Sequence, residues 1–240
     1  MPVTHEMTLL IKAGSTLSSL AARRGDFEDW VKSGLGVDPS TVSVVDVTRG
    51  QTLPDVGAHG RIIITGSHSM VSDHLDWSER TADWLVRASG QGIPTLGICY
   101  GHQLLAYSRG GDVNDNPRGP EYGTVDITLR TAARTDRLLK ALPERILAHT
   151  GHMQSVLRMP ATAVILAGSA RESYHAARFD STTWGVQFHP EFDADVMRGY
   201  LEHFREAFTK NGTDVDALLA GVRETPASAS LLRRFMNLAG

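Results

Sequence analysis

Three side chains carry the chemistry legible in this chain: Cys99, His189 and Glu191. Cys99 is the single cysteine, and it lies in Pro94-Thr95-Leu96-Gly97-Ile98-Cys99-Tyr100-Gly101-His102-Gln103-Leu104-Leu105-Ala106. An apolar run there meets Gly-x-Cys-x-Gly and passes into a helical stretch. Strand, sharp turn and helix in that order read as a nucleophile elbow, with sulfur in place of a serine oxygen. Gly97 and Gly101 permit the tight turn and the close approach of neighbouring backbone. The positive end of the helix dipole favours thiolate over thiol at that position. Outside such a context a lone cysteine is usually an inert buried hydrophobe. The elbow reverses that reading.

A cysteine nucleophile needs a base, and the base needs a group to orient it. Among ten histidines, His189 stands out in Trp184-Gly185-Val186-Gln187-Phe188-His189-Pro190-Glu191. On an extended segment residues i and i+2 share a side, which puts His189 and Glu191 together. Pro190 fixes its own φ and biases His189 towards extended backbone. Glu191 then accepts from one ring nitrogen and leaves the other for Cys99. Alone, His-Pro-Glu would read as a strand end with a surface histidine and carboxylate. Paired with the elbow, it reads as base and orienter.

These groups need a scaffold that brings positions 99 and 189 together. Met7–Lys12, Val42–Val47, Arg61–Thr65 and Pro94–Ile98 read as strands; Leu17–Lys32, Trp77–Ala88 and Gly101–Tyr107 read as helices. The three successive isoleucines at 62–64 suit a strand covered on both faces. Asp76, three residues before Glu79, reads as a capping box. This β-α alternation predicts a parallel sheet flanked by helices. The second half adds strand candidates at Val125–Arg130, Ile146–His149, Ala163–Ala167, Tyr174–Phe179 and Thr182–Phe188, with a short helix candidate at Thr135–Leu142. A mixed section should therefore join the parallel core. Asp193–Thr209 reads as a helix with Tyr200, Phe204 and Phe208 on one face, stopped at Lys210-Asn211-Gly212. The expected organisation is one domain over residues 1–210 with a C-terminal helical appendage over 211–240.

Composition sets the outer bounds. With 240 residues, 41% hydrophobic and 21% charged, the chain can bury a substantial core. A net charge of −3 offers no excess of cations for a phosphate backbone, so no nucleic-acid partner is expected. Apolar runs such as Ala163–Ala167 fall far short of the ~20 residues of a membrane helix. Met1–His5 does not resemble a signal peptide. One cysteine excludes an internal disulfide and multi-cysteine zinc sites. A cytoplasmic location is expected. His149 and His152, without an obvious carboxylate ligand nearby, read as loop or core residues rather than as a metal site. Neither a dinucleotide fingerprint nor Gly-x4-Gly-Lys-Ser/Thr occurs, so no cofactor is expected.

Gly97-Ile98-Cys99-Tyr100-Gly101-His102-Gln103 and Gly185-Val186-Gln187-Phe188-His189-Pro190-Glu191 resemble the two signatures of the class I glutamine amidotransferases. Gly110-Gly111 with Gly119-Pro120-Glu121-Tyr122-Gly123 is similar to a further stretch of that family. Arg24–Trp30 resembles its free-standing, GMP-synthase-like branch. The resemblance runs over roughly residues 7 to 208. It implies a flavodoxin-like α/β fold, a mixed and mostly parallel sheet flanked by helices. It also implies attack by Cys99 on a γ-glutamyl amide, proton transfer by His189, orientation by Glu191 and a γ-glutamyl thioester. The Tyr100 N–H and a donor from Gly66-Ser67-His68 would form the oxyanion hole, where Gly-Gly-Pro is more usual. Gln103 would contact substrate. His152-Met153-Gln154-Ser155-Val156 matches a His-x-Asp-x-Val loop, with Gln154 where aspartate is common; an amide cannot neutralise an α-ammonium as a carboxylate does. The small-molecule substrate would be glutamine or a γ-glutamyl compound, and a synthase subunit in trans or a homo-oligomer would fit the family. A γ-glutamyl peptidase and a non-catalytic binding module are the alternatives.

Overall fold

The computed structural model describes residues 7–238. Its first half alternates as the spacing predicts. β1 (Thr8–Lys12) leads to α1 (Ser18–Arg24) and α2 (Phe27–Leu35), then β2 (Val42–Asp46), β3 (Arg61–Ile64), α3 (Asp76–Ser89), β4 (Thr95–Ile98) and α4 (Tyr100–Tyr107). The second half is strand-rich: β5 (Asp112–Asp115), β6 (Glu121–Leu129), β7 (Arg145–His152), β8 (Gln154–Arg158), β9 (Val164–Gly168), β10 (Ala176–Arg178) and β11 (Thr183–Val186). Four helices follow: α5 (Ala194–His203), α6 (Arg205–Lys210), α7 (Val215–Gly221) and α8 (Pro226–Met236).

Nine strands form one sheet in the order β2-β1-β3-β4-β11-β10-β9-β6-β7, and β5 pairs with β8 separately. β2, β1, β3, β4 and β11 run parallel; the remaining pairs are antiparallel. The central strands β1, β4 and β11 are buried along their whole length, because helices cover both faces of a parallel sheet. β11 returns from far along the chain to lie beside β4, with Val186 opposite Ile98 and Gly185 opposite Gly97. In open α/β sheets, ligands bind beyond the carboxyl ends of the strands. Here the ends of β3, β4 and β11 lead directly into Gly66, Cys99 and Gln187.

Local signals were overridden at several points. The stretch Leu17–Lys32 is two helices, because Gly25 takes φ +77° and turns the chain between them. A capping box forms at Asp26 and Asp29, not at Asp76 and Glu79. Asp76 is instead the first residue of α3, and Glu79 accepts from the Tyr107 hydroxyl at 3.0 Å. No α-helix forms over Thr135–Leu142. Asp136 Oδ1 accepts from the Leu138 and Leu139 amides at 2.9 and 3.1 Å, holding turns there, and both its carboxylate oxygens lie 3.1 Å from Trp184 Nε1. The stretch around Gln154, read as a loop, is strand β8.

Beyond Lys210 the chain stays in contact with the core. α8 packs against α2 and β7, and Leu231, Leu232 and Phe235 are fully buried in the cluster that holds Leu10, Ile63, Leu96 and Ile98. Among the described residues no helix is long and apolar enough to cross a membrane.

Candidate active site

The elbow is built by close packing at its two glycines. A Cβ on Gly97 would stand 2.4 Å from the Gly101 carbonyl oxygen, and one on Gly101 would stand 2.6 Å from that of Ile64. Neither contact is sterically tolerable, so the turn demands glycine at both positions. Cys99 between them adopts φ 49°, ψ −101°, a conformation that L-residues rarely take. Its N–H donates to the Val186 carbonyl at 2.8 Å, and its carbonyl accepts from the Gln103 N–H at 3.1 Å. The residue is thus clamped between β11 and the first turn of α4, where the helix dipole is positive.

His189 and Glu191 come together as the spacing predicts, on different backbone from that expected. β11 ends at Val186, and His189 is fixed by a lone bridge in which its N–H donates to the His149 carbonyl at 2.9 Å. His189 Nδ1 lies 2.7 Å from Glu191 Oε1, and both side chains are buried. Cys99 lies on the same side of Gly66 as the imidazole and acts on it electrostatically. Burial works against its charge, but Glu191 and Cys99 outweigh burial and push His189 up to about 10. The Phe192 ring stacks on the imidazole at 4.1 Å. Phe192 in turn contacts Phe27, Trp30 and Tyr200, so an aromatic wall from α2 and α5 backs the histidine.

The loop after β3 closes the opposite side. A Cβ on Gly66 would lie 3.0 Å from His189 Cε1 and 3.7 Å from Cys99 Cβ. Gly66 therefore borders His189 and Cys99 directly. Ser67 turns its hydroxyl to accept from the Ser69 N–H at 3.0 Å, and His68 packs its ring among Phe27, Tyr200 and Phe204. Tyr100 starts α4 at the elbow while its phenol points to α3, sharing a 2.5 Å hydrogen bond with Ser78. Burial pushes that phenol up to about 12.

Gln103, His152 and Gln154 meet in one buried network. Gln103 Nε2 donates to the Gln154 carbonyl at 2.9 Å and to Gln187 Oε1 at 3.0 Å. His152 Nδ1 donates to the same Gln154 carbonyl at 2.9 Å. The Gln154 amide is engaged by Ser72 Oγ at 2.6 Å and Asp115 Oδ1 at 3.4 Å, so it ties β8 to the loop after β3. Sequence reasoning assigned nothing to Glu121, His175, Gln187 or Phe192. Glu121 lies buried 3.4 Å from His152 Nε2 and 2.8 Å from His175 Nε2, and accepts from Ser169 Oγ at 2.7 Å. Burial opposes its charge, yet His152, His175 and Ser169 hold it well below the usual carboxylate range. The signal was present in Gly119-Pro120-Glu121-Tyr122-Gly123. Its meaning depends on the pairing of Glu121 opposite His152 across β6 and β7.

Fold and site together define a class: an α/β protein with a cysteine on an elbow at the sheet's carboxyl end and a His–Glu pair brought beside it. The family profile described as Glutamine amidotransferase class-I matches residues 34–206, and the chain belongs to that family. It is 31% identical to a glutamine-hydrolysing GMP synthase of Aeropyrum pernix over 76% of this chain and 32% of that one. The chain thus spans about a third of that relative's length. It is 37% identical to one subunit of the glutamine-hydrolysing GMP synthase of Sulfurisphaera tokodaii, over 59% of this chain and 74% of that one. A gamma-glutamyl peptidase 4 of Arabidopsis thaliana is 26% identical over 60% of this chain and 58% of that one. A glutamine amidotransferase of Thermotoga maritima shares the fold, with a TM-score of 0.77, 19% identity and 97% of each chain covered.

Proposed function

We propose that this protein hydrolyses the side-chain amide of glutamine through Cys99, His189 and Glu191. The observation that carries the reading is that His189, bonded to Glu191 at 2.7 Å, and Cys99 converge on Gly66, whose Cβ would stand 3.0 Å from His189 Cε1 and 3.7 Å from Cys99 Cβ. The Glu191 carboxylate favours the protonated imidazole, so His189 holds the thiol proton while sulfur attacks the γ-carbonyl carbon. Negative charge then develops on the carbonyl oxygen. The N–H groups of Tyr100 and of Gly66 or Ser67 would receive it, and one such donor is worth about 2.7–4 kcal/mol in related sites. As the C–N bond breaks, His189 passes its proton to the departing ammonia. Water, deprotonated by the same imidazole, cleaves the γ-glutamyl thioester and releases glutamate.

Ammonia would pass to an acceptor held by a synthase subunit in trans. Support for this comes from the Sulfurisphaera tokodaii relative, itself one subunit of a glutamine-hydrolysing synthase. A second reading, γ-glutamyl peptide hydrolysis without a synthase, is favoured by the likeness to gamma-glutamyl peptidase 4. Turnover of glutamine beside a panel of γ-glutamyl dipeptides separates the two. Preference for glutamine supports the amidase; preference for dipeptides overturns it in favour of the peptidase.

A further inference from the structure

The sulfur of Cys99 is met by the side-chain amide of Gln187, whose Nε2 lies 3.5 Å from Sγ, a hydrogen-bonding distance for the larger sulfur atom. Which end of a glutamine amide faces a neighbour is normally an assignment made from the network. Here the network leaves one choice. The Gln154 main-chain carbonyl can only accept, so Gln103 must turn its Nε2 towards it at 2.9 Å. The same Nε2 lies 3.0 Å from the Gln187 amide, which must therefore present Oε1. That forces Gln187 Nε2 towards the sulfur. Gln187 is fully buried, and its own N–H donates to the His175 carbonyl at 2.9 Å, so the orientation is fixed at both main chain and side chain.

We infer that Gln187 is a further catalytic residue, an N–H donor to the Cys99 thiolate, with its amide aimed by Gln103. This deepens the proposed function and rests on its reading of Cys99 as nucleophile. A hydrogen bond to the charged form of a group favours that form, and donors to ionised acceptors are stronger than neutral pairs. His189 releases its proton to ammonia during the cycle. The amide of Gln187 does not titrate, so it stabilises the thiolate both before attack and when the thioester is cleaved. It also restrains sulfur from a second side, which matters because small misplacements of reacting atoms are costly. Gln187 precedes His189 by two residues, so one turn of chain carries both the amide that meets the sulfur and the proposed base.

The single cysteine gives the test a clean readout that needs no substrate. Cys99 is alkylated with iodoacetamide across a pH series, and the rate is followed by intact mass. His189, with Glu191 behind it, and Tyr200 act electrostatically with the sulfur. All three are retained in every variant. Gln187→Met, which keeps the volume but lacks the donor, should move the alkylation midpoint up by about one pH unit, corresponding to about a tenfold loss of thiolate at a pH below the midpoint. Gln187→Glu should move it further in the same direction. Gln103→Leu, which leaves Gln187 in place but unaimed, should move it by less. Midpoints equal to wild type in both Gln187 variants overturn the proposal. If Gln187→Met does not fold, Gln187→Leu, which likewise lacks the donor and adds no charge, decides in its place. A shifted midpoint in a protein that turns over no glutamine supports the role of Gln187 and counts only against the substrate.

Discussion

The ring of Phe192 lies on the imidazole of His189 with centroids 4.1 Å apart and planes 19° from parallel. Glu191 fixes the ring within its plane, and Phe192 fixes it across its face. The imidazole therefore has little freedom to turn away from Cys99. Replacing Phe192 by Leu keeps the site apolar but removes the flat support. We expect kcat to fall about tenfold with KM little changed, since misorientation of a reacting group acts mainly on the chemical step. Steady-state kinetics checks it. An unchanged kcat would mean that Glu191 alone orients the ring.

Gly66 brings the loop after β3 up against His189 and Cys99. A Cβ there would stand 3.0 Å from His189 Cε1, so either the ring or the loop must give by a few tenths of an ångström. Gly66→Ala should lower kcat by about 10²-fold while shifting the urea midpoint little, because the displaced groups are those that react. A Gly66→Ala protein with wild-type turnover would show that the loop yields freely.

Cys99 holds φ 49°, ψ −101° against its intrinsic preference. Such strain costs of order 1–3 kcal/mol and persists where the surrounding structure over-determines it. Glycine feels little of it. Cys99→Gly should therefore be more stable than Cys99→Ala by about 1 kcal/mol, against glycine's usual entropic disadvantage. Equilibrium unfolding of the two inactive variants measures the difference directly, and the reverse order would contradict strain at the elbow.

The raised His189 makes stability depend on pH with a definite sign. Burial lowers it, but Glu191 and Cys99 together lift it from its ordinary 6.5 to about 10. The folded state thus binds this proton more tightly than the unfolded chain. The contribution is complete below about pH 6.5 and is lost as pH rises towards about 10. Wild type should lose stability across that window more steeply than His189→Gln, as read from urea midpoints. Parallel curves would contradict the assignment.

How much of this was legible follows from the range of the interactions. The elbow is local: Gly97, Cys99 and Gly101 lie within five residues, and their packing needs only a strand and a helix. His189 and Glu191 were legible for the same reason, although a turn after β11 carries them, not the strand itself. His175 was silent, and Glu121 stood in a quoted motif without a role, because what they do depends on β6 lying beside β7 and β10 beside β9. Gln187 was in plain view in the His-Pro-Glu stretch, but its role requires Gln103 from α4 to turn its amide. Gln154 read as a departure from a common substrate-binding aspartate; its side chain spans to Ser72 and Asp115, partners remote in sequence. At Asp76, the capping pattern was correct chemistry at the wrong position, because Leu75 already occupies the N-cap.

The most direct test of the central claim is the covalent state of Cys99 during incubation with glutamine, followed by rapid acid quench and intact mass, with ammonia and glutamate measured alongside. The account predicts a γ-glutamyl adduct on Cys99 in wild type, equal release of ammonia and glutamate wherever the thioester turns over, and neither adduct nor release in Cys99→Ala. Glutamine hydrolysis that survives in Cys99→Ala, or a wild-type cysteine that stays unmodified with glutamine and with γ-glutamyl dipeptides alike, would contradict it.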